Sequence, residues 1–188
     1  ATIKNTTIMN SEISQNIFKS DFYRVIQENY YLFYCDLKKK SEDFSVNKIK
    51  NIYEKIKILV NTEKISIRIS RDDIYHIRQY LSHIHTCCIL NLLKLEEDEI
   101  GNDSELIKRY WVKQYEGYEV AIKKNQDYGD SFREHGFMGV LVRLSDKVKR
   151  LINITTNRKI NFEAQEDTFK DLANYCVMGI FLLDENED

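Results

Sequence analysis

The 188-residue sequence contains no proline and only 6 glycines. Sheet proteins with many tight turns depend on both residues, so their scarcity favours helices. Positive charge is not in excess either: 28 lysines and arginines stand against 30 aspartates and glutamates, for a formal net charge of −2. A protein that tracks a nucleic acid polymer needs a basic surplus on some face, and this balance argues against that partner. Long apolar runs are missing. The longest, CCILNLLKL and VMGIFLL, fall well short of the ~20 residues that span a bilayer, so no membrane partner is expected. No CxxC pair occurs, and Cys35, Cys87, Cys88 and Cys176 read as the reduced thiols of a cytosolic, cytoplasmic protein. The opening ATIKNTTIMNSEISQ lacks a basic segment followed by an apolar one, so it is not expected to be a signal peptide. GxSxG, P-loop and GxGxxG patterns are absent, which leaves serine-hydrolase, Walker-type and Rossmann readings without support.

What is present suffices for a core: 43% of residues are hydrophobic and 12% aromatic, too many for a disordered chain. Their spacing is helical. Residues 1 to about 15 are polar and expected to fray, with a helix opening at Ser20 and carrying Phe22, Val25, Ile26, Tyr30 and Phe33. Residues 38–43 read as a connection, followed by a helix with Val46, Ile49, Ile52, Tyr53, Ile56 and Leu59 or Val60 on one face. Strict alternation over Ile65-Ser66-Ile67-Arg68-Ile69 predicts a short strand or an extended connector. Ser70-Arg71-Asp72-Asp73 reads as a capping box for a helix with Ile74, Ile77, Tyr80 or Leu81, Ile84, Cys88 and Leu92 inward, stopped at Gly101. Asp103 or Ser104 is expected to cap the next helix, which runs towards Lys124, and two more follow over about 139–154 and 162–183. The expected architecture is an all-α helical bundle.

Two helices carry a polar stripe beside the apolar one. Arg143, Asp146, Lys147 and Arg150 share one face, and Glu163, Asp167, Asp171 and Asn174 share another. Carboxylates facing guanidinium and ammonium groups suit a metal-dependent phosphate site, since Mg²⁺ keeps several waters and takes further oxygens from substrate phosphates. Spacing alone favours the plainer alternative, that the stripes pair as salt bridges or lie on a solvated surface. Between Asp127 and Asp130, Tyr128-Gly129 forms a turn, either a loop that closes over a ligand or a capping loop with Asp130 or Ser131 as the cap. His83, His85, Cys87 and Cys88 are residue types that ligate metals, and His83 and Cys87 share a helix face, but His85 points elsewhere and a buried core role outweighs zinc binding. His135 is placed to move a proton or to sit on a surface loop. Trp111, Tyr115 and Tyr118 have the spacing of a base-stacking face or of core aromatics.

The pieces K-x-x-DYGDSF, VRLSDKVKRL and E-x-x-EDTFKDLANYCVM follow one another between Lys123 and Met178. In this order and spacing they resemble the family called nucleotide modification associated domain 1. That resemblance implies a role in nucleotide metabolism. It makes residues 104–188 that domain and residues 1–103 an amino-terminal helical region without a recognisable role. More distantly, the two striped helices are similar to the all-α NTP pyrophosphohydrolases, the MazG and dimeric dUTPase group. Those enzymes hold Mg²⁺ with an E-x-x-E helix and an E-x-x-D helix. Here the motifs fall on Arg143-x-x-Asp146 and Thr168-x-x-Asp171, where Asp146 and Asp171 keep a carboxylate.

Carried over, the resemblance implies Mg²⁺ or Mn²⁺ held by Asp146, Asp167 and Asp171, with Glu163 or Glu166 as a further ligand or base. Lys123, Asp127, Tyr128, Asp130, Arg143, Lys147, Arg150 and Asn174 would hold a nucleotide or deoxynucleotide that loses pyrophosphate. A homo-oligomer is expected by the same analogy. The other expectation, favoured by the missing glutamates, is a non-catalytic nucleotide-binding protein on the same scaffold. A third is an interaction protein whose stripes pair only with each other.

Overall fold

A computed structural model describes residues 2–60, 69–97, 99, 101–157 and 161–185, with side chains from residue 10 onward. Its helices are α1 (Thr2–Cys35), α2 (Val46–Val60), α3 (Arg71–Glu96), α4 (Asp103–Tyr128), α5 (Gly136–Thr156) and α6 (Phe162–Glu185). Short 3₁₀ turns lie at Leu37–Ser41 and Ser131–Arg133. Among the described residues there is no strand, and the chain forms the all-α bundle expected. The alternating segment at 65–69 lies outside the described residues except for Ile69. Among the described residues, no helix is long and apolar enough to cross a membrane.

Local chemistry sets the helix ends. Ser70 Oγ accepts from the Asp73 N–H, as its position predicts. The α4 cap is one residue earlier than expected: Asn102 Oδ1 accepts from the Glu105 N–H at 2.9 Å, which leaves Asp103 and Ser104 in the first turn. Asn satisfies the orphan N–H as well as Asp or Ser does, so the choice among neighbouring caps is invisible to composition. At its far end α4 stops on Gly129, whose φ of 57° is left-handed and whose N–H bonds the Asn125 carbonyl.

Helix α6 packs along α3 and α5, while α1 lies on α4 and α2 on α3 and α5. One continuous cluster of buried apolar side chains runs from Phe18 to Leu183 and joins every α-helix. The predicted α3 stripe of Ile74, Ile77, Ile84, Cys88 and Leu92 is buried throughout, and of the alternatives Tyr80 and Leu81 it is Leu81 that is buried while Tyr80 is partly so. Each such side chain contributes roughly 1.5–3 kcal/mol relative to exposure. Phe33 stacks on Tyr110 with ring centres 4.1 Å apart, which fixes α1 against α4.

The amino-terminal segment differs from expectation. It is helical from Thr2, and its polar residues make long-range contacts. Ser14 Oγ donates to Asp130 Oδ2 at 2.7 Å, Gln15 Nε2 donates to the Ile122 carbonyl at 3.1 Å, and Gln15 Oε1 accepts from Asn125 Nδ2 at 2.7 Å. Partners more than 100 positions away give a polar segment a reason to stay ordered that no local pattern reveals.

Candidate functional site

Three helices bring charge together at one point. From α5, Lys147 Nζ lies 2.9 Å from Asp171 Oδ2 on α6, and from α4, Lys124 Nζ lies 3.1 Å from Asp171 Oδ1. The Lys147 and Asp171 side chains are 23% and 27% exposed, and Lys124 is 57% exposed. Two ammonium groups on one carboxylate leave the group positive and open to solvent. On the same α5 face, Arg143, Asp146 and Arg150 are exposed. Among the described residues these three make no ion pair, and neither do the exposed Glu163 and Asp167 of α6. Glu166 accepts from Lys170 on its own helix at 2.8 Å, and that hydrogen bond lowers its carboxyl pKa. Lys123, Asp127 and Tyr128 are exposed near the end of α4.

The two stripes therefore meet through Lys147 and Asp171. Sequence reasoning points to Lys123, but it is the neighbouring Lys124 that reaches Asp171. The K-x-x-D spacing leading into DYGDSF singles out Lys124, and that signal was available.

Among the described residues, no three histidine, cysteine, aspartate or glutamate side chains gather into a metal-holding group. Each oxygen of Asp171 faces a lysine, Glu166 is held by Lys170, and the remaining carboxylates are dispersed on exposed helix faces. As placed, these residues do not fit a Mg²⁺ site built from protein ligands alone.

Asp130 serves the corner between α4 and α5. It sits in the left-handed region at φ 66° and accepts from Ser14 Oγ, from Asn125 Nδ2 at 3.1 Å and from Arg133 Nε at 3.0 Å. Asp tolerates that backbone better than most side chains do. Arg133 extends the corner to Asp21 and Glu185.

Residues of α3, α4 and α6, with Ile26 of α1, line a cavity of about 60 Å³. Its polar wall includes His85, Gln114 and Asn174, the last member of the α6 stripe and one turn from Asp171. Asn174 Nδ2 donates to the Gly117 carbonyl at 3.1 Å, and a Cβ on Gly117 would lie only 2.9 Å from Asn174 Oδ1. His85 bonds the Ala173 carbonyl through Nδ1 at 3.3 Å and Gln114 through Nε2 at 2.9 Å. Burial pushes His85 down to about 4, so the ring is neutral at pH 7. Lys113 also lines the cavity. Burial opposes its charge, but hydrogen bonds to Glu96 and Glu116 outweigh that and hold its pKa above the ordinary value.

The remaining candidates have structural surroundings. Burial pushes the Cys87 thiol up to about 12, and His83 beside it is half-buried with its pKa lowered chiefly by burial. Trp111 packs edge-on against Tyr23 and Tyr30, and Tyr118 against Tyr23 of α1. His135 is exposed just ahead of α5.

Residues 124–183 match the protein family described as Nucleotide modification associated domain 1. The matched span contains Lys124, Asp130, Lys147, Asp171 and Asn174. No curated protein and no solved structure matches the chain.

Proposed function

We propose that the domain at 124–183 binds a nucleotide or deoxynucleotide through its phosphates and serves nucleotide metabolism. The observation that carries this reading is the convergence of Lys124 and Lys147 on the single carboxylate of Asp171. A phosphate chain offers several charged oxygens where Asp171 offers two, so it can engage both ammonium groups at once. Arg143 and Arg150, one turn to either side of Lys147 and free of ion pairs among the described residues, supply the planar forks that phosphates favour. The family match supports the nucleotide class.

Mg²⁺- or Mn²⁺-dependent pyrophosphohydrolysis is the catalytic form of this reading. It requires Asp171 to exchange its lysines for an ion that arrives on the phosphates, with Asp146 and Asp167 as its other carboxylates. The engaged state of Asp171 favours binding without turnover. Each common NTP and dNTP, offered with Mg²⁺ or Mn²⁺ while melting temperature and released pyrophosphate and phosphate are recorded, tests the proposal. A thermal shift without product is expected. Pyrophosphate release would replace the binding protein with the enzyme, and no shift with any nucleotide would overturn the proposal.

A further inference from the structure

Helix α4 carries a stripe on its outer side. Lys108, Val112, Tyr115 and Glu119 follow one another at steps of four, three and four residues, the spacing of a helix–helix seam. All four are exposed, Val112 at 53% and Tyr115 at 39%. Helix α1 covers only the neighbouring face, where Trp111 and Tyr118 meet Tyr23 and Trp111 meets Tyr30. Between the two helices, Gln27, Tyr30, Lys108, Trp111 and Val112 line an open groove of about 630 Å³. A cleft of that size takes a bulky group from outside the chain.

The stripe is ordered by charge, with a lysine at one end, a glutamate at the other and two apolar residues between them. The ion pairs of α4 use Asp103, Arg109, Lys113, Glu116 and Lys124. Among the described residues, Lys108 and Glu119 make none. A second α4 laid antiparallel, with a two-fold axis midway between Val112 and Tyr115, sets Val112 against the partner's Tyr115 and Lys108 against the partner's Glu119. Symmetry makes each contact twice. A parallel pairing sets lysine against lysine and glutamate against glutamate, which repel. The pattern is therefore complementary to itself in one direction. In that direction the partner's Tyr115 and Glu119 arrive at the groove, which Lys108 and Val112 line.

We propose that this face of α4, with the adjoining edge of α1, is the interface of a two-fold homodimer in which each Tyr115 fills the groove of the other copy. The tyrosine ring packs among Tyr30, Trp111 and Val112, and a Lys108–Glu119 pair closes each end of the seam. Aromatic side chains at the centre with opposite charges at the rim are the usual anatomy of a specific interface. The proposal stands apart from the phosphate-binding reading, because Lys124 lies past the end of the stripe and Lys147 is on α5.

Sedimentation of the full chain over about 1–100 μM at low salt tests it. The wild type should reach twice the chain mass, and Trp111, the single tryptophan, should shift its emission to the blue as the dimer forms. Val112→Asp should weaken association by about tenfold or more. Lys108→Glu alone and Glu119→Lys alone each set like charges together twice and should weaken it by about tenfold. The double variant Lys108→Glu/Glu119→Lys should restore it, since opposite charges then face each other again. Circular dichroism checks that each variant folds, and the charge exchange carries the test if Val112→Asp does not. A wild type that stays monomeric overturns the proposal, and a response of its Trp111 emission to an added nucleoside would then give the groove to a ligand. A dimer indifferent to Val112→Asp pairs through another surface, and single variants that the double does not rescue exclude the antiparallel seam. Either result overturns the proposal.

Discussion

Lys147 Nζ and Asp171 Oδ2 stand 2.9 Å apart and tie α5 to α6, while Lys124 Nζ takes the other oxygen of the same carboxylate from α4. Partly exposed pairs of this kind contribute only about 0–1 kcal/mol to stability. Their consequence is electrostatic: Asp171 holds two ammonium groups close together that would otherwise repel. An anion with more oxygens than a carboxylate then meets a prearranged pair of donors.

Asp171→Asn separates the two effects of the carboxylate on the lysines, holding them together and competing with an incoming anion. Loss of the negative charge removes the competitor for both lysines, and triphosphate affinity should rise by about fivefold at low salt. Titration of the variant reads this directly. A tenfold loss of affinity would show that the carboxylate itself contributes to the ligand's coordination.

Asp130→Ala should destabilise the chain by about 1–3 kcal/mol, because Ser14, Asn125 and Arg133 all donate to that carboxylate. Amide exchange should quicken over the first turns of α1, which Ser14 anchors. Asp130→Gly should cost about 1 kcal/mol less than Asp130→Ala, since glycine adopts φ 66° without strain. Denaturant melts of the two variants decide it.

His85 makes stability depend on pH. Burial lowers its pKa from 6.5 to about 4, so as pH falls the unfolded chain takes up the proton first. Its contribution is complete above pH 6.5 and is lost between pH 6.5 and 4, by on the order of 3 kcal/mol. A variant such as His85→Gln should show a shallower fall in unfolding free energy over that window. An unchanged slope would show that the ring is already solvated in the native state.

The four cysteines are free, and Cys35 is exposed while Cys87, Cys88 and Cys176 are buried. Burial also raises the thiol pKa of these three, which removes the reactive thiolate. Alkylation of the native protein, followed by mass spectrometry, should label Cys35 quickly and the others only as the fold opens. Rapid labelling of Cys88 would contradict the described core.

The helices were legible in the sequence because apolar spacing of three and four residues dictates which face is buried, as the α3 stripe from Ile74 to Leu92 demonstrates. The Ser70 cap was legible because its partner is three residues away. What local pattern cannot carry is contact at a distance. The order of α1 from Thr2 depends on Ser14 meeting Asp130 and Gln15 meeting Asn125. In the site, the striped faces put both Lys147 and Asp171 among the candidates, but in separate roles; that the two side chains meet is a tertiary fact. The choice of Lys124 over Lys123 depends on how α4 crosses α6, a tertiary fact, although the motif spacing hinted at it.

The most direct measurement is a low-salt calorimetric titration of a nucleoside triphosphate into the wild type, Lys147→Ala and the Lys124→Ala/Lys147→Ala double variant. Helical content and melting temperature serve as controls for folding. Binding by the wild type, a loss of about tenfold in the single variant and a larger loss in the double variant are predicted. Equal affinity in all three folded proteins would contradict the account.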